Sequence, residues 1–173
     1  MAEATVAGPA GTARRPVRVL AVGRDDPRHA ALVRAAEAEL VRRYGDGSLE
    51  PPEVAGAAPA GSPVTLATLL AVDDAGTPLG CVVLATLPAV GDGVGEVKRL
   101  FVPPEARRRG VAAALLGAVV DAGRTAGLDS LRLVTGTLQP EAIALYEREG
   151  WQPAPPYAWA DDPMTRTFGR PLP

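Results

Sequence analysis

Hydrophobic and polar positions along the chain predict alternating strands and helices. An apolar run at 17–22 predicts a first strand. Asp26 and Pro27 then form a typical helix start, with Asp26 as the cap and Pro27 at the first helical position. Apolar residues recur at helical spacing up to Tyr44, where glycines follow. The pattern therefore predicts a strand and then a helix.

Three further strands are predicted in the middle of the chain. The runs at 64–72 and 78–87 are joined by the tight-turn sequence DDAGT, which favours a hairpin. A third strand at 95–102 follows a glycine-rich turn. Its apolar positions alternate imperfectly, which indicates a β-bulge.

The last third of the chain continues the alternation. Apolar residues share one face of a helix predicted over 109–125, and a short, almost continuously apolar strand is expected at 131–135. Pro140 opens a helix that Gly150 ends, and a final strand is expected around MTRTF. This order predicts one α/β domain built around a mixed sheet.

Length and loop composition set the domain organisation. A chain of 173 residues fits one domain, which we assign to 16–173, after a small and polar tail at 1–15 that we expect to be disordered. The segment 45–63 is dense in Pro and Gly and predicts a long loop. Such a loop either covers a substrate or is an ordinary surface segment.

Composition excludes several classes of function. The net charge of −2 gives no overall positive field for nucleic acid. The single cysteine, Cys81, permits no internal disulfide and fits a reducing cytoplasm. With one histidine, His29, neither a zinc site nor a Ser-His-Asp triad is expected, and we predict no metal. No apolar run has the length of a membrane span and no signal-peptide core is visible, so we expect a cytoplasmic protein without a membrane partner.

The stretch LFVPPEARRRGVAAALL, residues 100–116, combines a strand end, three arginines, a glycine and a helix start. The first turn of a helix carries free backbone N–H groups and a dipole that favours anions, and glycine permits close approach. Neither of the usual Gly-rich phosphate motifs is present. The stretch predicts a phosphate site of another kind, or else arginines that are only solvated.

Two motifs carry a resemblance to a known family. RRRGVA at 107–112 matches [Gln/Arg]-x-x-Gly-x-[Gly/Ala], the pyrophosphate signature of the GNAT acetyltransferases, and it follows EVKRLFVPPE. About thirty residues later, LQPEAIALYEREGW resembles the second hallmark of that superfamily. The resemblance covers roughly 17–170. It implies the GNAT fold, in which central strands of a mixed, mostly antiparallel sheet splay apart between flanking helices, and it implies acetyl-CoA as co-substrate.

The resemblance also implies a set of cofactor contacts. Backbone groups at the strand end would bond the pantetheine arm, namely Leu100, Phe101 and Val102. Amides of the turn and the helix start would cradle the pyrophosphate, namely Arg107, Arg108, Arg109, Gly110, Val111, Ala112 and Ala113. One arginine side chain would reach the adenosine 3′-phosphate, and Arg107 is a better candidate for this contact than Arg108. Many members have Asn shortly before the Leu-Tyr pair; here Gln139 or a backbone group would replace it.

Two residues are candidates for catalysis. The resemblance implies that Tyr146 donates a proton to the CoA thiolate, whereas a tyrosine on an apolar helix face is otherwise a core residue. Glu96 is the candidate base for the amine, directly or through water. If Glu96 is not the base, it is either a solvated charge on the strand or the group that binds the ammonium of the substrate.

The acceptor carries no sequence signature. The resemblance implies an N-acetyltransferase acting on a primary amine, and we expect a small-molecule acceptor. The residues that select the acceptor are expected to lie in the first helix, in the 45–63 loop and in the segment around Tyr157 and Trp159. In that last segment Asp161 and Asp162 would attract a cationic acceptor. The alternatives are a catalytically inactive GNAT-fold module that senses acyl-CoA or binds a partner, and a nucleic-acid-binding domain, which the acidic net charge and few aromatic residues disfavour. The sequence leaves the oligomeric state open between a monomer and a homodimer.

Overall fold

A computed structural model describes residues 17–45, 62–157 and 162–173. The tail at 1–15 and nearly all of the 45–63 loop lie outside these residues, as do Trp159 and Asp161. The described elements follow the predicted order, with a short 3-10 turn at Pro104–Ala106 and a two-residue strand as additions. They are β1 Arg18–Val22, α1 Pro27–Tyr44, β2 Thr65–Val72, β3 Pro78–Thr86, β4 Val94–Phe101, α2 Val111–Thr125, β5 Ser130–Gly136, α3 Pro140–Arg148, β6 Gln152–Pro153 and β7 Thr165–Pro171.

The strands form a seven-stranded sheet in the order β1-β2-β3-β4-β5-β7-β6. Only β4 and β5 run parallel, and every other neighbouring pair in this sheet is antiparallel. A parallel pair needs a crossover connection, and α2 supplies it. The predicted mixed, mostly antiparallel sheet flanked by helices is confirmed.

The two faces of the sheet carry separate apolar clusters. Leu32 of α1 packs with Leu70, Val72 and Cys81, which defines the α1 face. Successive strand residues point to opposite faces, so Leu69 and Ala71 belong to the other cluster. That second cluster, the α2 face, also contains Leu84, Val97, Leu115, Val119, Leu131, Leu133, Tyr146, Trp151 and Phe168.

The helix starts follow local chemistry. The Oδ1 atom of Asp26 accepts the N–H of Arg28 at 2.8 Å, as expected for a cap. Hydrogen bonds from the Arg28 guanidinium, above all, lower the pKa of Asp26 to about 2. The predicted start of α2 at residue 109 is wrong. The helix begins at Val111 because Gly110 has the left-handed φ of 82°, which cannot continue a right-handed helix.

His29 is a buried imidazole. It lies in the first turn of α1, is 8% exposed, and its Nε2 atom has no hydrogen-bond partner within the described residues. Burial lowers the pKa of His29 below its ordinary 6.5, and the charge of Arg99 adds to this, whereas Asp26 opposes it. The folded protein therefore favours the neutral ring.

We expect His29 to make the protein less stable as the pH falls. The unfolded chain binds a proton more readily than the folded chain, so stability that is present above pH 6.5 is lost as the pH falls below it. Urea unfolding at pH 7.5 and 5.5 checks this, with His29→Gln as the non-titrating comparison. Wild type should lose up to about 1 kcal/mol more than the variant between the two pH values. Equal losses would contradict this assignment.

Candidate functional site

The predicted bulge lies in β4. Val83 pairs with Lys98 and Cys81 pairs with Phe101, so two steps along β3 oppose three along β4. The extra residue brings Arg99 to a φ of 55°, which costs a residue with a side chain roughly 1–2 kcal/mol. Strained backbone of this kind is concentrated at functional sites. The bulge turns the end of β4 away from regular pairing.

β4 and β5 separate immediately beyond their start. Within these two fully described strands, the parallel pairing joins only Val94, Gly95 and Glu96 of β4 to residues 130–132. β5 instead continues along β7 as far as the pair of Gly136 with Thr165. The remainder of β4 therefore has an open edge toward β5, which is the expected splaying of the central strands. Leu100 and Phe101 lie on that edge, followed by Val102.

A close backbone contact fixes the end of β4. A Cβ atom at Gly80 of β3 would lie 2.7 Å from the carbonyl oxygen of Phe101 and 3.2 Å from a methyl group of Leu115 on α2. Only glycine allows β3, β4 and α2 to approach so closely. Gly80 thus sets where the chain leaves the sheet toward the arginine turn.

The turn after β4 presents a row of free amides. The backbone N–H groups of residues 108–113 have no hydrogen-bond acceptor within the described parts of the chain, and the next N–H, that of Ala114, bonds to the Gly110 carbonyl at 3.0 Å. Arg108 has a left-handed φ of 60° and Gly110 one of 82°. Unpaired amides at the N-terminus of a helix form an anion site. The six residues are Arg108, Arg109, Gly110, Val111, Ala112 and Ala113. The amide of Arg107, also expected to join this row, instead donates to the Pro104 carbonyl at 3.3 Å.

The side chain of Arg107 is bonded within the protein. Its Nε donates to the Val102 carbonyl at 2.9 Å, and its Nη2 lies 2.5 Å from Glu39 Oε2 on α1. Glu39 also pairs with Arg43, which in turn bonds Glu141 of α3. This ion-pair network ties the turn to both helices, so the guanidinium of Arg107 is already engaged. The Arg108 side chain is exposed and makes no hydrogen bond or ion pair within the described residues.

Tyr146 lies in the α2-face cluster. It is 7% exposed and its ring contacts those of Trp151 at 6.2 Å and Phe168 at 5.7 Å between centroids. Burial raises the pKa of its hydroxyl above the ordinary 10.0, so it stays protonated at neutral pH. The hydroxyl makes no hydrogen bond within residues 17–45, 62–157 and 162–173, yet it is not among their fully enclosed polar atoms. The Tyr146 hydroxyl therefore retains an unused hydrogen-bond donor within the described structure.

Glu96 lies where β4 and β5 part. Its side chain is 17% exposed, and its Oε2 atom is 2.9 Å from Lys98 Nζ. Its Oε1 atom accepts the hydroxyl of Tyr157 at 3.1 Å. Its neighbours Gly95 and Val97 are buried, and Val97 packs in the α2-face cluster together with Tyr146. By strand alternation, Glu96 points to the other face, so an acid and a base candidate lie on opposite faces of the sheet.

The structure also locates Gln139 and Cys81, two further residues considered in the sequence analysis. Gln139 is the N-terminal residue before α3, and its side chain makes no cap hydrogen bond. Cys81 is fully buried, and burial raises the pKa of its thiol to about 12, so it is not a nucleophile. Among the described residues, no group of three His, Cys, Asp or Glu side chains is placed to hold a metal. No helix of the described ranges is long and apolar enough to cross a membrane.

With this geometry in view, comparisons with known proteins decide the family. The model of the acetyltransferase (GNAT) family matches residues 44–151, which contain the splayed strands, the turn and α3. The chain belongs to the GNAT acetyltransferase family. It is 40% identical over 98 residues to an IAA acetyltransferase of Azospirillum brasilense, which is 56% of this chain and 63% of that protein. The matched part is thus less than two thirds of that relative's length.

Solved GNAT-type structures share the fold. A Klebsiella pneumoniae protein assigned as an acyl-CoA N-acyltransferase is 27% identical, with a TM-score of 0.71 over 90% of this chain and 97% of its own. PaiA N-acetyltransferase of Thermoplasma acidophilum, solved with coenzyme A, has a TM-score of 0.51 and 18% identity over 60% of this chain and 59% of its own. The second likeness concerns the fold alone.

Proposed function

We propose that this protein is an N-acetyltransferase that uses acetyl-CoA. The observation that carries the proposal is the row of six unpaired amides at 108–113 beside an open sheet edge. The amides suit a pyrophosphate, and the edge of β4 suits an extended chain that carries its own amide groups. Because the Arg107 guanidinium is bound to Glu39 and its backbone N–H to the Pro104 carbonyl, neither group of Arg107 is assigned to the cofactor, and Arg108 is assigned to the 3′-phosphate.

The proposed reaction is direct attack of a primary amine on the thioester. The amine nitrogen bonds to the acetyl carbon, the carbon–sulfur bond breaks, and the amide forms. Glu96 takes the proton that the amine releases, and Tyr146 donates a proton to the departing CoA sulfur. The opposite faces occupied by the two side chains support this division, because each can then serve a different substituent of the acetyl carbon, Glu96 the amine nitrogen and Tyr146 the thioester sulfur.

The class of acceptor is proposed as a small primary amine. On the α1 face the site contributes the carboxylate of Glu96 and the phenol of Tyr157. These two groups suit the ammonium form of the acceptor, before the acceptor loses its proton. Buried Cys81 has no disulfide partner, which fits the reducing cytoplasm as the place of action.

Thermal unfolding with acetyl-CoA tests the cofactor site. At one hundred times Kd the ligand adds roughly 2.7 kcal/mol, so the wild-type melting temperature should rise by about 5–10 °C. Gly110→Glu should abolish this rise, because its carboxylate repels phosphate at the free amides. The matched control is Gly127→Glu at the other end of α2, where the glycine also has a left-handed φ, 71° against 82°. Both variants add the same charge and similar strain, yet only Gly127→Glu should keep the ligand response.

Two results would contradict the proposal. One is the absence of any shift in wild type at millimolar acetyl-CoA, and the other is a shift that survives in Gly110→Glu. CoA release is then measured with an amino acid, a polyamine, an aminoglycoside and a peptide with a free N-terminus. Binding without release to any of these amines would favour an acyl-CoA-sensing module over an enzyme.

A further inference from the structure

Tyr157 reaches Glu96 from a distant part of the chain. It follows the short strand β6, and its hydroxyl lies 3.1 Å from Glu96 Oε1 although 61 positions separate the two residues. Burial, and then the negative charge of Glu96, raise the pKa of Tyr157 well above the ordinary 10.0. The phenol therefore stays protonated at neutral pH and donates, while the Glu96 oxygen accepts.

The two partners of Glu96 differ in how firmly they hold it. Lys98 is 38% exposed and ends in a flexible stem, and ion pairs of that kind contribute little in water. The Tyr157 ring is half-buried and has only two rotatable side-chain bonds. A hydrogen bond from a rigid, partly buried donor to a charged acceptor both stabilises the acceptor and fixes its orientation. Tyr157 is therefore the partner that determines where the carboxylate points.

A nearby arginine leaves Glu96 to its other partners. Arg132 of β5 is directly opposite Glu96 in the parallel pair, where opposite charges usually attract. No ion pair joins the two within the described chain. The Arg132 guanidinium instead lies over Gly169 of β7, where a Cβ atom would come within 2.8 Å of Nη1. A fork-like arginine contact would occupy both carboxylate oxygens, whereas the phenol occupies Oε1 and leaves Oε2 to the more exposed Lys98.

We propose that Tyr157 is a positioning residue for the reaction, which holds the Glu96 carboxylate toward the incoming amine. The inference rests on the proposed function, since it assigns Glu96 the role of base. It also gives the segment after β6 a part in the site, because that segment carries the phenol that sets the base. Tyr157 itself takes no proton from the amine.

A double-mutant cycle tests this role. Wild type, Tyr157→Phe, Glu96→Gln and the double variant are compared in acetyl-CoA turnover, with the amine of the four-member panel that gives the fastest CoA release. Tyr157→Phe should lower kcat about tenfold and leave the KM for acetyl-CoA unchanged. In the Glu96→Gln background the same change should have no further effect, because there is no base left to orient. Lys98→Met should lower kcat less than threefold.

The outcomes separate the two proposals. A tenfold loss that persists in the Glu96→Gln background would overturn the positioning role, and so would an unchanged kcat in Tyr157→Phe. Wild type that binds acetyl-CoA but acetylates no panel amine would overturn the proposed function, and the positioning role with it. A structural role alone would lower the urea midpoint of Tyr157→Phe while leaving kcat per folded molecule unchanged, which also counts against the inference.

Discussion

Replacing Tyr146 by Phe is expected to lower kcat for acetyl transfer by about 10²-fold while the KM for acetyl-CoA changes less than twofold. The substitution removes one oxygen from a ring that packs against Trp151 and Phe168. Ring packing is retained, so the melting temperature should change little. The loss arises because the thiolate leaves without a proton donor, and a thiolate is formed only in the transition state and after it.

A second tyrosine provides the control. The Tyr44 hydroxyl at the end of α1 accepts the backbone N–H of Leu138 at 2.9 Å, and Tyr44→Phe also removes one phenol oxygen. Steady-state kinetics of both variants should show the large kcat loss only for Tyr146→Phe. Equal and small losses in the two would mean that Tyr146 is a core residue, as its burial alone would indicate.

Much of the fold and part of the site follow from local sequence. Alternation of apolar residues marks the strands, and its interruption near Leu100 marks the bulge that the β3–β4 register confirms. The helix over 27–44 was predictable to the residue because Asp26 and Pro27 supply both a cap and a fixed φ. These signals are local, and each depends on a few adjacent side chains.

The features that sequence reasoning missed depend on residues far apart in the chain. Arg107 pairs with Glu39, 68 positions away, and Tyr157 bonds Glu96 across 61. No spacing rule connects such positions, because only the folded sheet and helices bring them together. The left-handed backbone of Arg99 and Arg108 is similarly hidden, since arginine has no preference for it and tertiary contacts must impose it.

Replacing Glu96 by Gln is expected to lower kcat/KM for the amine about 10²-fold at pH 7. An alkyl amine with a pKa near that of lysine, about 10.4, is neutral in less than about one molecule in a thousand at that pH, so the reaction depends on a base. As the pH rises toward 9.5, solvent deprotonates more of the amine and the deficit of the variant should shrink several-fold. A pH series of kcat/KM for both proteins measures this convergence.

The same series distinguishes the base from a binding carboxylate. If Glu96 only binds the ammonium group, its loss should raise the KM for the amine, leave kcat nearly unchanged, and give a deficit that stays nearly constant up to pH 9.5, where an amine with a pKa of about 10.4 is still mostly protonated. The control is Glu147→Gln, one residue from Tyr146 but exposed on α3, which should match wild type at every pH. Convergence at high pH in Glu96→Gln alone would assign the proton to Glu96, because only a missing base is replaced by hydroxide in the solvent.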